Sequence, residues 1–297
     1  MVLVIGEVLF DVFPQYRRIG GAPFNFAYHL HHLRLPVRFV SRIRVGAPRP
    51  EVLAFFESCG LDAGDLQLDP THATGQVQVS LDNDAVPTFD IRPNMAYDHI
   101  DVDRNLEELL AAPPRLIYFG TLAQRSPQGF HTLQTLLNRR HPDTRTFCDI
   151  NLRPGCYNRE VILASLRQAD LLKLSAEELE VVRAIVAGPA GDRDLIDRLQ
   201  RDFDIAVVVL TRGAAGSEWH APDSSCRLAP PPLAAVADTV GAGDAHAAMT
   251  AVGYLRRWPP AKTLAAGNRL AAAVCSIPGA LPDTGNFYTE MHAIIEG

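Results

Sequence analysis

The segment "DTVGAGD", residues 238–244, sets Gly241, Ala242 and Gly243 side by side and follows them with an acid, Asp244. A helical pattern begins there: Ala245, Ala248, Met249, Val252 and Leu255 share one face, and Pro259-Pro260 ends the run. Amides at a helix N-terminus lack partners of their own, and with the helix dipole they favour an anion. Small residues leave those amides open to a phosphate. Asp244 then stands where a carboxylate takes a proton from a hydroxyl attacking the bound phosphorus. The dipole is expected to keep this acid ionised and weakly basic, which suits a loose transition state in which the proton leaves late. Taken alone, the segment also reads as a plain tight turn with Asp244 as a helix cap. A dinucleotide loop, and with it a nicotinamide-dependent oxidoreductase, fits poorly because the spacing is not G-x-G-x-x-G and no strand-acid unit follows.

The elements that must hold such a site alternate along the chain. Apolar runs at 2–5, 37–40, 115–119, 145–150, 170–174 and 205–210 read as strands covered on both faces. Stretches at 128–139, 158–168, 176–185 and 192–202 have helical length and spacing. The pattern predicts an α/β fold with a doubly wound, mostly parallel sheet flanked by helices. "TGQVQVSLDNDAVPTFDI", 74–91, breaks the rhythm: it alternates on both sides of "DNDA" and reads as an open-faced hairpin, a small β lid or a surface decoration.

Bulk properties narrow the partners. A chain of 297 residues buries enough surface to need no staples, and its five cysteines show no C-x-x-C spacing, which points to a reducing, cytoplasmic setting. No basic n-region precedes the first apolar run, and no 18-residue apolar span follows, so neither an export signal nor a membrane partner is expected. A net charge of -6 without a basic run argues against nucleic acid. A small molecule is the expected partner.

With "DTVGAGD", the pair Gly20-Gly21 and Asn25 in "IGGAPFNFAYHL", and the segments "GEVLFD", "DINLRPG" and "LKLSAEE", the whole chain resembles the ribokinase-like sugar kinases, or phosphofructokinase B family, in its fructokinase branch. The resemblance implies one kinase domain over 1–297, with a β lid formed by about 12–19 and 74–97. Its chemistry would be ATP- and Mg2+-dependent phosphorylation of a sugar hydroxyl, on fructose or a related ketose. Asp244 would be the base and the amides at 241–243 the anion hole. Asp11, expected just past the first strand, Gly20, Gly21, Asn25 and Arg153 would bind the acceptor, the arginine suiting an anion. Thr211, Gly213 and Gly216 in "LTRGAAG", with Asn268 and Lys173, would face the nucleotide. Glu178 would hold magnesium through water, with Ser175 where relatives carry Asn. Asp238 matches a position tied in some relatives to a monovalent cation such as K+, and a homodimer is compatible with the family. His246 replaces a usual aromatic residue and reads as packing or surface, and His29, His31 and His32 read as a polar stretch of helix. Phe89, Arg92 and Tyr97 are candidates to touch the acceptor. A nucleoside kinase of the same fold, or a non-catalytic kinase-like sugar-binding protein, are the competing readings.

Overall fold

The protein is described by a computed structural model covering residues 1–13, 15–81, 87–233, 235–282 and 286–297, without the side chains of 79–81 and 87–89. The "DNDA" turn and the Phe89 side chain therefore lie outside the described residues. The strands are β1 (Val2–Ile5), β2 (Leu9–Val12), β3 (Arg17–Gly20), β4 (Val37–Arg44), β5 (Leu66–Asp69), β6 (Gly75–Leu81), β7 (Pro87–Ile91), β8 (Leu116–Phe119), β9 (Arg145–Asp149), β10 (Leu171–Ser175), β11 (Val207–Thr211), β12 (Ser217–Ala221) and β13 (Ser224–Leu228). The helices are α1 (Ala22–His32), α2 (Arg49–Ser58), α3 (Arg104–Ala111), α4 (Pro127–Asn138), α5 (Arg159–Gln168), α6 (Ala176–Val186), α7 (Asp192–Phe203), α8 (Ala242–Leu255), α9 (Pro260–Cys275) and α10 (Thr289–Glu296).

Nine strands form the main sheet in the order β13-β12-β11-β10-β9-β8-β1-β4-β5, parallel except at β12 and β13. Its central strands are continuous apolar runs because alternate residues feed two cores. Val2, Val4, Leu116, Tyr118, Phe147 and Val209 face α1, α2, α8 and α9; Leu3, Ile5, Ile117, Phe119, Cys148 and Leu210 face α3 to α7. The expected α/β sheet is thus present, with helices on both faces.

A second sheet, β3-β2-β6-β7, stands on its own small core of Leu9 and Val77 with Phe13 and Ile91 packed against it. The hairpin read at 74–91 is its β6-β7 half, paired antiparallel from Val77↔Ile91. Asp11, expected just past the first strand, lies in the next strand, β2, opposite Arg18. The chain leaves the main sheet at Gly6, where a β-carbon would lie 2.4 Å from Pro23, and starts a new strand within four residues.

Candidate active site

The residues expected to bind the acceptor are brought together by the turn into α1. Gly21 caps that helix at φ 113, and a β-carbon there would sit 2.6 Å from the Glu7 carbonyl oxygen, so both the backbone angle and the crowding call for glycine. This turn aims Asn25, one turn into α1, at the start of α8: its Nδ2 donates to Asp244 Oδ2 at 2.8 Å across 219 residues of chain. Asn25 is buried, and its Oδ1 has no partner among the described residues. A β-carbon on Gly20 would lie 2.8 Å from Asp11 Oδ2 and 3.9 Å from Asn25 Oδ1. These two oxygens therefore look onto the same small space, which suits hydroxyl donors.

Gly241 opens α8 in the left-handed region at φ 78 and its carbonyl accepts from Ala245 N–H at 2.9 Å. The expected run of three open amides is corrected in one member, because Ala242 N–H closes the turn onto Thr239 O at 3.3 Å. The N–H groups of Gly241, Gly243 and Asp244 meet no acceptor among the described residues. Asp238 braces the turn, accepting from Val240 N–H at 2.9 Å and Gly279 N–H at 3.0 Å. The segment it ties down packs Ala280 on the turn: a β-carbon on Gly241 would lie 2.3 Å from that of Ala280. Gly241→Ala is therefore expected to lower stability by about 1–3 kcal/mol through the left-handed angle and the clash. Displacing the amides should also cut turnover about 10²-fold. Thermal melts and kcat measured on the same preparation check both effects.

Beneath these amides lies a buried ion pair. Lys173 Nζ donates to both Asp149 oxygens at 2.8 and 3.0 Å, and Tyr118 Oη donates to Asp149 at 3.2 Å. A β-carbon on Gly243 would stand 3.6 Å from the ammonium. Burial alone would discharge this lysine, but the Asp149 carboxylate more than offsets it and holds the ammonium above its ordinary range.

Electrostatics around the acceptor space differ from the sequence reading in one respect. Burial pushes the Asp244 carboxyl up to about 6, against the Asn25 hydrogen bond and despite its place at a helix N-terminus. Desolvation outweighs the dipole because the carboxyl is enclosed by α1 and α8, and Asp244 is a stronger base than expected. Burial likewise raises Asp11 to about 6 and Glu7 to about 7. Arg153 acts on all three acids, is itself exposed, and has no ion-pair partner among the described residues. Glu7 was not singled out from the sequence; its one signal is a charge interrupting an apolar run, and that does not say what surrounds it.

Other expected site residues fall at the carboxyl edge of the sheet with different engagements. Thr211 ends β11 beside Ser175, and Gly213 shapes the short turn after it. Gly216 is demanded by packing, since a β-carbon would lie 2.0 Å from Leu228 O. Asn268 is spent inside the protein: its Nδ2 faces the Leu228 and Ala229 carbonyls at 3.1 and 3.5 Å, and its Oδ1 accepts from Ser217. The geometry makes it a peg for that wall. Glu178 uses its two oxygens on Leu152 N–H (2.7 Å) and Ser175 N–H (2.8 Å), clamping the loop that carries Arg153 onto α6. Arg92 is exposed, while Tyr97 is fully buried under Gly75 with the Arg125 guanidinium 5.0 Å over its ring. His246 is buried between Ser217 and Thr250. The polar-stretch reading of the α1 histidines is corrected for His29, which is enclosed and bonded to Tyr288 Oη at 2.7 Å because α10 covers that face.

Among the described residues no three His, Cys, Asp or Glu side chains converge as a metal cage. Two hard carboxylates, Asp149 and Glu178, lie close together, and Glu178 has its proton affinity raised by burial first and then by the Asp149 charge. That donor set suits a magnesium ion that arrives on phosphates and keeps its waters. No helix of the described residues is long and apolar enough to cross a membrane.

Known proteins resemble this chain in sequence and fold. Residues 6–284 match the model of the pfkB family carbohydrate kinases. A fructokinase of Rhizobium leguminosarum bv. trifolii is 26% identical over 263 residues, 82% of this chain and 76% of that protein. A 5-dehydro-2-deoxygluconokinase of Clostridium botulinum is 23% identical over 264 residues, 86% and 77% of the two chains. The crystal structure of a fructokinase with bound ATP from Xylella fastidiosa superposes with a TM-score of 0.84 at 19% identity, covering 98% of each chain.

Proposed function

The chain belongs to the pfkB family of carbohydrate kinases, and from that premise we propose that it transfers the γ-phosphoryl group of ATP to a hydroxyl of fructose or a related ketose, with Asp244 as general base. The observation that carries this reading is the Asn25–Asp244 hydrogen bond beside unpartnered amides: it joins an acceptor-facing turn to an anion-facing turn at one carboxylate. In-line phosphoryl transfer needs those three things in one place.

The acceptor lies against Asp11 Oδ2 and Asn25 Oδ1, with one hydroxyl directed at the Asp244 carboxylate. Asn25 occupies Oδ2 and fixes the plane of the carboxyl, leaving lone pairs for the incoming proton. The amides of Gly243 and Asp244, with the Lys173 ammonium under them, stabilise negative charge as it spreads over the migrating phosphoryl. Magnesium supplies charge neutralisation across the polyphosphate when bound; Glu178 would hold it through water, with Asp149 as its neighbour. The small β sheet, carrying Asp11 on β2, would serve as the lid. The 26% identical fructokinase favours a ketose as acceptor.

An ADP-release screen over fructose, other ketoses, ribose, gluconate-type acids and nucleosides, with and without magnesium, tests the assignment. ADP release dependent on a ketose is expected; release with nucleosides alone, or none with any acceptor, overturns it. The reaction should also carry an acid limb. Because burial raises the Asp244 pKa to about 6, the base is ionised above that pH, so kcat/KM holds level at neutral pH and falls as pH drops through about 6. A pH–rate profile still level at pH 5 would remove Asp244 from that role.

A further inference from the structure

The charges around the acceptor space do not cancel. Asp149 is neutralised by Lys173, and Asp98 by Arg125 at 2.8 Å. Three acids remain, Glu7, Asp11 and Asp244, against one guanidinium, that of Arg153. Glu7 is 4% exposed, and its backbone and Cγ form the floor under Gly21, whose β-carbon would come 3.2 Å from that Cγ. No other residue donates to its carboxyl among the described residues; the groups acting on it are Arg153 after β9, Asp244 on α8 and Arg125 before α4. Asn25 Oδ1, beside Gly20, is buried and unpartnered among the described residues, as is the Tyr97 hydroxyl under Gly75, which feels the Glu7 charge. The space beside Gly20 and Gly21 therefore offers an acceptor for a hydroxyl and more acidic than basic side chains.

We propose that Glu7 is a specificity-determining residue of the acceptor pocket: with Asp11 and Asp244 it makes the pocket electronegative, so that uncharged polyols are admitted and acceptors bearing a carboxylate or phosphate are refused. This rests on the kinase reading for the pocket's role, and it separates neutral ketoses from gluconate-type acids. Arg153 does not reverse the balance, because it is exposed and screened by water while Glu7 and Asp244 are enclosed and Asp11 is partly buried.

The test is calorimetric binding of a matched pair, sorbitol and gluconate, which differ by a carboxylate at one end. In the wild-type protein gluconate is expected to bind at least about tenfold more weakly than sorbitol, from one to two uncompensated charges at pocket distances. Glu7→Gln should narrow that ratio about tenfold, and Glu7→Asp should keep it. Should Glu7→Gln fail to fold, the wild-type ratio measured from pH 8 to pH 6 serves instead. It narrows on acidification as Glu7, near 7, and then Asp11, near 6, take up protons. Equal or tighter binding of gluconate, binding of neither compound, or a ratio insensitive to both the substitution and pH overturns the proposal. Because binding is read without turnover, failure of the kinase reading appears separately as absent ADP release.

Discussion

Asp244→Asn is expected to lower turnover by about 10²–10⁴-fold while the KM for acceptor moves little. The substitution keeps size and the oxygen that Asn25 Nδ2 holds at 2.8 Å, so the acceptor space retains its shape. What disappears is the only group at that position able to take up the hydroxyl proton. A second readout distinguishes loss of chemistry from loss of fold. The carboxyl's folded pKa of about 6 lies above its unfolded value, so ionising it in the enclosed site opposes folding; the stability it contributes at low pH is lost as pH rises through about 6. At pH 8 the asparagine variant should therefore be as stable as the wild type or more so, by up to about 1–3 kcal/mol. An inactive protein that melts no lower than the wild type at pH 8, with its advantage shrinking toward pH 5, fits a base. Near-normal turnover ends the assignment.

Lys173→Met should be the most destabilising of the substitutions considered, by about 3–5 kcal/mol, because it strands the Asp149 carboxylate in an enclosed site. Activity should fall as well, since in the proposed reaction the ammonium under Gly243 would stabilise the migrating phosphoryl group. The two effects separate in the double variant Lys173→Met/Asp149→Leu. Replacing both charges by apolar groups of similar volume removes the unpaired acid, so most of the stability should return while turnover stays low. Chemical denaturation and single-turnover phosphoryl transfer measure the two axes. Recovery of both together would make Lys173 a structural residue alone.

The strands β1, β4, β8, β9, β10 and β11 and the helices α4 to α7 were legible because each carries its burial pattern in its own residues. A continuous apolar run needs cover on two faces, and a 3.6-residue stripe needs cover on one. The glycine turn at 241–243 and the pair at 20–21 were legible for a related reason, since only glycine accepts the left-handed angle of Gly241 or the crowding at Gly21 whatever surrounds them.

Less legible was the fate of polar side chains. Asn268, Glu178 and His29 look alike in sequence, as polar residues on or beside helices, yet the fold spends the first on the Leu228 carbonyl, the second on the Arg153 loop and the third on Tyr288. Asp11 moved into a strand for want of any local sign of where the chain would leave the main sheet.

The sequence by itself determined the layered architecture, the family and the two motifs whose small residues let backbone approach a ligand, because these follow from local stereochemistry and hydrophobic period. Only the tertiary structure decided that Asn25 meets Asp244, that Lys173 lies beneath Gly243, and that Glu7 is enclosed beneath Gly21, where burial raises its pKa to about 7. Those outcomes depend on how much water is excluded and which charges remain close. Both are set by segments far apart in the chain.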